Sequence, residues 1–427
     1  MSTTTTTARP ACLADLLPAP AAESRPRTPY WDAQGKCHWL EAAPGQVLEE
    51  WQAGERVSDA SRELLDKIEV LLCGHITAVT LRRQRTCQQM LEVILDGGEP
   101  WYVRRVLRRA DDDPEADIVA ERIQREANLL LWLRRRCAVP LPYVVRATPE
   151  WSVLRPMPGK TLRECWGTFD RQQKETVIIS YAQHVTEIFD INVPNAVGST
   201  CGGAHNNGQT LSAAPFMGRG PTPLAPEVYT NVYDHIDYVF TAAHAAARAS
   251  APSEPDAAAR AHLLALLHAA ATDDARACVL PRGSCALAHD PDDGDVVVHA
   301  RTGEVAGLVD WEFHALGPRA LAARYPAWLR HDGVHDPRCA RPGRWWLAPR
   351  DESAEMLALF EEVVKSKSQT YYEALRSGSG LRSILEWVSE MGTEDYWTRL
   401  RRWMTGQKML PQDKPAVKKQ KSTMFAP

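Results

Sequence analysis

Apolar residues recur at helical spacing in some stretches of the chain and alternate with polar ones in others. Over "SDASRELLDKIEVLLCG", Leu64, Leu65, Ile68, Leu71 and Leu72 fall on one face, Ser58 or Asp59 stands where an N-cap belongs, and Gly74 offers a stop. That pattern predicts the first helix. In "MLEVILDGGEPWYVRRVL" two β-rich runs flank Asp96-Gly97-Gly98, which supplies the positive φ angles of a tight hairpin turn. Alternation puts Val103 and Arg105 on the same face of the second strand. "ADIVAERIQREANLLLWLRRR" predicts a long helix closed by the prolines of "CAVPLP", and "WSVLRPMPGKTL" predicts a strand running into a turn at 156–159.

The rest of the chain is patterned mainly as helix. "RQQKETVIISYAQHVTEIF" carries Val177, Ile178, Tyr181, Val185, Ile188 and Phe189 on one broad face. "EVYTNVYDHIDYVFTAAHAAARA", "AAARAHLLALLHAAA", "DESAEMLALFEEVVKS" and "GLRSILEWVSEM" predict further helices, and a Gly-, Pro- and Asn-rich loop is expected over 191–226. The expected organisation is an irregular N-terminal extension over 1–57, a small region of strands with one long helix over 58–155, a helix-rich region over 156–408, and a flexible basic tail over 409–427.

Composition narrows the functional classes. The 427 residues are 44% hydrophobic, enough for a substantial core. Fifty basic against 54 acidic side chains leave a net charge of −4, so no global attraction to nucleic acid or to an anionic membrane surface is expected. No apolar run approaches the roughly 20 residues of a membrane span, and the start lacks a basic segment followed by a signal-peptide core. Arg9 in a Ser/Thr-rich start hints at a mitochondrial presequence, but Asp15 and the prolines argue against it, and a cytoplasmic protein is the expectation. Ten scattered cysteines form no C-x-x-C pair, which favours reduced thiols over zinc sites or disulfides.

Candidate chemistry concentrates in "AHDPDDGDVVVHARTGEVAGLVDWEF". The runs "DVVVH" and "EVAGLVD" read as an antiparallel ribbon joined by "ARTG", so the start of the first lies beside the end of the second. Asp295 is then within a residue or two of facing Asp310. Two carboxylates about 4 Å apart repel by roughly 4 kcal/mol at an effective dielectric near 20, and a divalent cation with a preference for oxygen ligands is the natural compensation. The turn Pro291-Asp292-Asp293-Gly294 folds Asp290 back towards the pair. Asp292 and Asp293 read as parts of a solvated turn. A calcium loop centred on Gly294 fails, because His289 and Pro291 would stand at ligand positions and Ala300 at the terminal glutamate. His289 and His299 are read as non-ligands.

The order of these residues, ending in "VDWEF", resembles the aminoglycoside phosphotransferases, a family of small-molecule kinases, and in particular their divergent fungal-type branch. The family pattern is H-G-D-x-x-x-x-N, a hairpin, then I-D-W-E. The resemblance implies that Asp290 orients or deprotonates an acceptor hydroxyl, while Asp295 and Asp310 hold magnesium on the ATP phosphates. "YVRRVL" is similar to the strand that carries the phosphate-contacting cation, which makes Arg105 that residue, and "REANLLLWLRRRCAVPLPYV" is similar to the helix whose glutamate holds it, here Glu126. "SVLRPMPGKTL" resembles the interlobe hinge, where the backbone around Leu154 and Met157 meets adenine.

Three positions depart from the family pattern. Ala288 stands where the family has histidine, removing a hydrogen-bonding support, and Asp295 replaces asparagine, which predicts a sharper metal requirement. No glycine lies in "LRRQRTCQQ" to bring backbone N–H groups close to phosphate. The resemblance implies an α+β, two-lobed protein-kinase-like fold and an ATP- and magnesium-dependent phosphotransferase acting on a small-molecule hydroxyl. A catalytically silent kinase-like module that binds nucleotide or a protein partner is the alternative. A protein kinase is disfavoured by the "DWEF" ending and the lack of an A-P-E segment soon after it. Glu227, Asp234 and Asp237 are substrate-binding candidates by charge alone, with a solvated helix face as the plainer reading.

Overall fold

The N-terminal segment already departs from the irregular extension expected of it. In the computed structural model, which describes residues 27–41, 49–52, 59–85, 87–110, 112–202, 210–216, 227–277 and 285–410, β1 (Arg27–Trp31) and β2 (Cys37–Glu41) form an antiparallel hairpin. Its turn is built locally: the Asp32 carboxylate accepts from the Gln34 and Lys36 amides at 3.0 and 2.9 Å, and Gly35 takes φ +76°. What the sequence pattern could not carry is the distant partner. Trp31 exchanges backbone hydrogen bonds with Trp346 at 2.9 and 3.0 Å. A third strand, β3 (Glu49–Gln52), pairs with β4 (Ile76–Arg85) at the edge of the main sheet.

Helix α1 (Asp59–Leu72) forms where the heptad-like spacing put it and buries Leu64 and Ile68. Its stop lies one residue before the expected glycine, because Cys73 takes the left-handed conformation at φ +53°. Strands β5 (Gln88–Leu95) and β6 (Pro100–Val106) follow around a turn in which Gly98 has φ +77°. Next comes α2 (Pro114–Leu133), whose first turn is capped by the Asp113 carboxylate at 3.2 Å from the Glu115 and Ala116 amides. After β7 (Tyr143–Ala147) and β8 (Trp151–Arg155), the sheet is complete in the order β3-β4-β5-β6-β8-β7, antiparallel throughout. Helices cover both of its faces. Leu91, Val93, Val103 and Val153 pack with α1, while Val106 packs on Ala116, Ala120 and Ile123 of α2.

The second lobe begins with β9 (Lys160–Thr161), α3 (Leu162–Cys165) and α4 (Arg171–Phe189). The expected long loop contains a hairpin, β10 (Ser199–Gly202) and β11 (Leu211–Ala214), while 203–209 and 217–226 lie outside the described residues. Then come α5 (Val232–Ala249), α6 (Glu254–Ala277), β12 (Cys285–Ala288), the ribbon β13 (Val296–Val298) and β14 (Val305–Leu308), and β15 (Ala315–Pro318). Among the described residues five α-helices follow: α7 (Arg319–Ala322), α8 (Arg350–Lys367), α9 (Gln369–Ser377), α10 (Ser379–Ser389) and α11 (Tyr396–Gly406). The expectation for the tail falls outside the described residues beyond 410.

One large apolar cluster joins the lobes through α2, α4, the ribbon and α8, with Trp166, Phe189, Trp311 and Phe360 fully buried. A second lies among α5, α6, α10 and α11 around Phe240 and Trp387. Among the described residues the cysteines are free, and no helix is long and apolar enough to cross a membrane.

The turn at 156–159 brings the chain from the first lobe onto the ribbon. Here Gly159 has φ +133°, and a Cβ on it would lie 2.4 Å from the Val298 carbonyl oxygen. Gly159→Ala is therefore expected to lower stability by about 1–3 kcal/mol. Chemical denaturation would register this as a lower midpoint with an unchanged slope.

Candidate active site

The ribbon delivers the acidic geometry that its sequence implied. Val296 pairs with Leu308, and the Val309 amide donates to the Asp295 carbonyl at 2.9 Å, so Asp310 lies one residue beyond the position facing Asp295. The turn before β13 is held by the Asp292 carboxylate, which accepts from the Gly294 amide at 2.6 Å, and by the Asp295 carboxylate, which accepts from the Asp292 amide at 3.1 Å. Asp293 is not a solvated turn residue. Arg163 donates to both of its carboxylate oxygens at 2.8 and 3.1 Å and ties the turn to α3. His299 is exposed at the far end of the ribbon.

Asp310 itself adopts the left-handed conformation, φ +59° and ψ +61°, a conformation that costs of order 1–2 kcal/mol for a non-glycine residue. Its neighbours hold it there. Trp311 is fully buried, its indole N–H donates to the Leu308 carbonyl at 2.9 Å, and its backbone N–H donates to Glu126 Oε1 at 2.9 Å. His289 stacks on the Trp311 ring with centroids 3.9 Å apart, and its Nε2 lies 3.3 Å from the Asp310 carbonyl oxygen. The support expected to be lost at Ala288 is thus provided by the adjacent residue.

Glu126 meets Arg104, not Arg105. Arg104 Nη1 donates to Glu126 Oε2, and Arg104 Nη2 lies 3.6 Å from Asp310 Oδ1. Alternation does put Arg105 on the face of Val103, as expected, but that face packs against α1, whereas Arg104 faces α2 and the ribbon. An apolar residue cannot mark the cleft side of this strand, since helices bury both sides. The expected pairing of Arg105 with Glu126 is corrected accordingly. Burial pushes the Glu126 carboxyl up to about 7, because the attraction of Arg104 is offset by Asp310 and Glu312. Arg104 stays charged: burial works against it, but Glu126, Asp310, Glu312 and Asp295 together raise its pKa.

Sequence reasoning gave no role to Glu312, which is buried and lines a small cavity with Gln88, Met90, Arg104 and Asp310. The clue was its place in "DWEF", two residues after the aspartate.

On the hinge, Leu154 lies mid-ladder between β6 and β7, opposite Tyr102 and Val144. Pro156 and Pro158 lack an N–H, so past the ladder the Met157 amide is the donor the hinge offers. The Met157 side chain covers Gly307 of β14, where a Cβ would come within 2.7 Å of it.

Asp290 is half-buried and accepts from Arg324 Nη1 at 2.7 Å. The backbone of Arg324 is fixed by Tyr371, whose hydroxyl donates to the Arg324 carbonyl at 2.7 Å. Glu227, Asp234 and Asp237 are exposed; Asp234 bonds to the capping residue Asn231 at the start of α5, and Asp237 pairs with His268 at 2.8 Å.

Magnesium commonly takes one or two protein carboxylates and completes its shell with water and phosphate oxygens. Asp295 and Asp310, all-oxygen donors at one end of the ribbon beside surplus buried carboxylate, fit that chemistry. Among the described residues no three His, Cys, Asp or Glu side chains converge as a cage. The fit is to a cation shared with a polyphosphate.

No protein-family model matches the chain. A curated relative, "Clavilactone A biosynthesis cluster protein Y" of Ampulloclitocybe clavipes, is 28% identical over 393 residues, covering 90% of this chain and 96% of its own length. Among solved structures, the streptomycin-ATP ternary complex of APH(2'')-IIa superposes with a TM-score of 0.50 at 10% identity, over 82% of this chain and 97% of that one. The chain has the two-lobed, protein-kinase-like fold of the aminoglycoside phosphotransferases, as the resemblance of its motifs implied.

Two outcomes follow from this geometry. Removing one member of a buried ion pair typically costs about 3–5 kcal/mol, so Arg104→Gln should destabilise the fold by that order in chemical denaturation, and Arg105→Gln by less than half as much. The buried His314 ring bridges Thr200 Oγ1 and the Trp311 carbonyl, both at 2.6 Å, and burial lowers its pKa to about 4. The unfolded chain takes up this proton near pH 6.5 and the folded chain resists until about 4, so stability falls as pH drops through that window, by up to about 3 kcal/mol from this group. In His314→Gln the pH slope of stability should be shallower by up to about one proton.

Proposed function

We propose that this protein is an ATP- and magnesium-dependent phosphotransferase that acts on a hydroxyl of a small molecule. The observation that carries the proposal is the bridge from Arg104 through Glu126 to the Asp310–Trp311 segment, with Asp295 at the same end of the ribbon. A cation on a strand held by a helix glutamate, next to paired carboxylates, suits a polyphosphate and its metal. The curated relative's place in a biosynthetic cluster is in keeping with a small-molecule acceptor.

In this reading Arg104 takes the phosphate-contacting role that the motif alignment gave to Arg105. Glu126 orients Arg104 and, through the Trp311 amide, the Asp310 backbone. Asp295 and Asp310 hold magnesium, which screens the phosphate charge. The Met157 amide and the Leu154 segment meet the adenine. The acceptor oxygen forms a bond to the γ-phosphorus, the bond to the β,γ-bridging oxygen breaks, ADP leaves with that electron pair, and the hydroxyl proton passes to Asp290. Arg324 occupies Asp290 Oδ2, which leaves Oδ1 for the acceptor.

A second reading, a nucleotide-binding module without turnover, is favoured by one feature. The β4–β5 connection contains no glycine, so close backbone contact with phosphate is lost there.

Phosphoryl transfer from ATP to a broad panel of small alcohols decides between the two. Wild type is expected to show magnesium-dependent transfer, and Asp290→Asn and Asp310→Asn are each expected to lose at least about 10²-fold in kcat, roughly 2.7 kcal/mol. Tight ATP-Mg binding with no transfer, and no difference between wild type and Asp290→Asn, would establish the silent module instead.

A further inference from the structure

The hairpin β10–β11 stands apart from the family motifs, yet it holds both partners of the contact between Glu126 and Trp311. On the α2 side, Arg125 precedes Glu126; its Nη1 donates to the Pro215 carbonyl just past β11 at 2.7 Å, and its Nε donates to Glu121 at 3.0 Å. On the ribbon side, Gly198 and Leu316 of β15 exchange backbone hydrogen bonds at 3.0 and 2.8 Å, which seats β10 and brings Ser199 and Thr200 to His314. Arg125, Ser199, Thr200 and His314 are all buried.

His314 carries the connection on to Asp310. A carbonyl oxygen can only accept, so the 2.6 Å contact between Nδ1 and the Trp311 carbonyl makes Nδ1 the protonated nitrogen. Burial keeps the ring neutral at pH 7, which leaves Nε2 as an acceptor. Thr200 Oγ1 donates to it from 2.6 Å, and Ser199 Oγ lies 3.3 Å from the same nitrogen. The Thr200 hydroxyl thus selects the tautomer that can hold the Trp311 carbonyl. Trp311 is fixed at both polar ends of its backbone, the N–H by Glu126 and the C=O by His314. The residue before it is Asp310, at φ +59°, and a left-handed turn at a residue with a side chain persists only where its surroundings impose it.

We infer that Thr200 and His314 are positioning residues of the metal site: acting through the Trp311 carbonyl, they hold the turn that directs the Asp310 carboxylate to magnesium. The hairpin β10–β11 joins that turn to the helix of Glu126. This rests on the phosphotransferase reading and adds to it two residues that touch neither nucleotide nor metal. Removing an outer partner that orients a metal ligand typically costs about 10–100-fold in metal affinity.

Calorimetric titration of ATP into the full chain, once with magnesium and once with EDTA, tests it, because the ratio of the two affinities isolates the share that the metal supplies. Thr200→Val keeps the shape of the side chain and removes the hydroxyl. It should cut that ratio at least about tenfold and leave the metal-free ATP affinity within about twofold of wild type. Thr200→Ser keeps the hydroxyl and should hold the ratio within about threefold of wild type. If Thr200→Val does not fold, Thr200→Ala reads the same ratio. An unchanged ratio in the variant without the hydroxyl, equal losses with and without magnesium, or a loss in Thr200→Ser as large as in Thr200→Val would each overturn the inference. Failure of both Thr200→Val and Thr200→Ala to fold, beside a folded Thr200→Ser, would mark a purely structural residue and overturn it as well. A wild type that gains no ATP affinity from magnesium would instead remove the phosphotransferase reading on which the inference rests.

Discussion

The architecture of the cleft turns on one carboxylate. Glu126 accepts from Arg104 with one oxygen and from the Trp311 amide with the other, so a single side chain on α2 ties the sheet of the small lobe to the acidic ribbon of the large one. Neither bond would be worth much at the surface. Buried, each is expensive to break, because the groups left behind have no water to turn to. The same carboxylate supports the left-handed turn at Asp310, whose strain the Trp311 and His289 stack also helps to bear. Four carboxylates, those of Glu126, Asp310, Glu312 and Asp295, act on the one guanidinium of Arg104, so the negative charge of the cleft exceeds what that cation balances.

Much of this was legible in the chain. The ribbon and the proximity of its acidic ends followed from two β-rich runs and a short link, because antiparallel pairing fixes which residues meet. The long helix of Glu126 and the hinge turn at 156–159 followed from periodicity and from proline and glycine. Fold class was legible through the order of motifs, although no single one was specific.

The failures have physical causes. Arg104 and Arg105 are adjacent, so the choice between them depended on which face of β6 meets the cleft, and a strand buried on both faces gives no answer from hydrophobicity. Residues 27–41 pair with one another around the Asp32 turn, and what lies beyond the reach of sequence pattern is the bridge that seats this hairpin, from Trp31 to Trp346, more than three hundred positions away. The histidine missing at 288 was compensated one residue later, through a ring stack that spacing does not encode. Asp293 looked solvated because its partner, Arg163, comes from α3, 130 positions earlier in the chain.

The most direct test of the account is a double-mutant cycle on ATP-Mg affinity, measured by calorimetry with Arg104→Gln, Glu126→Gln and the pair, beside the same cycle built on Arg105. The account predicts strong coupling between 104 and 126, about 1–3 kcal/mol, with near-additive effects for 105 and 126. Additive effects for 104 together with coupling for 105 would contradict it.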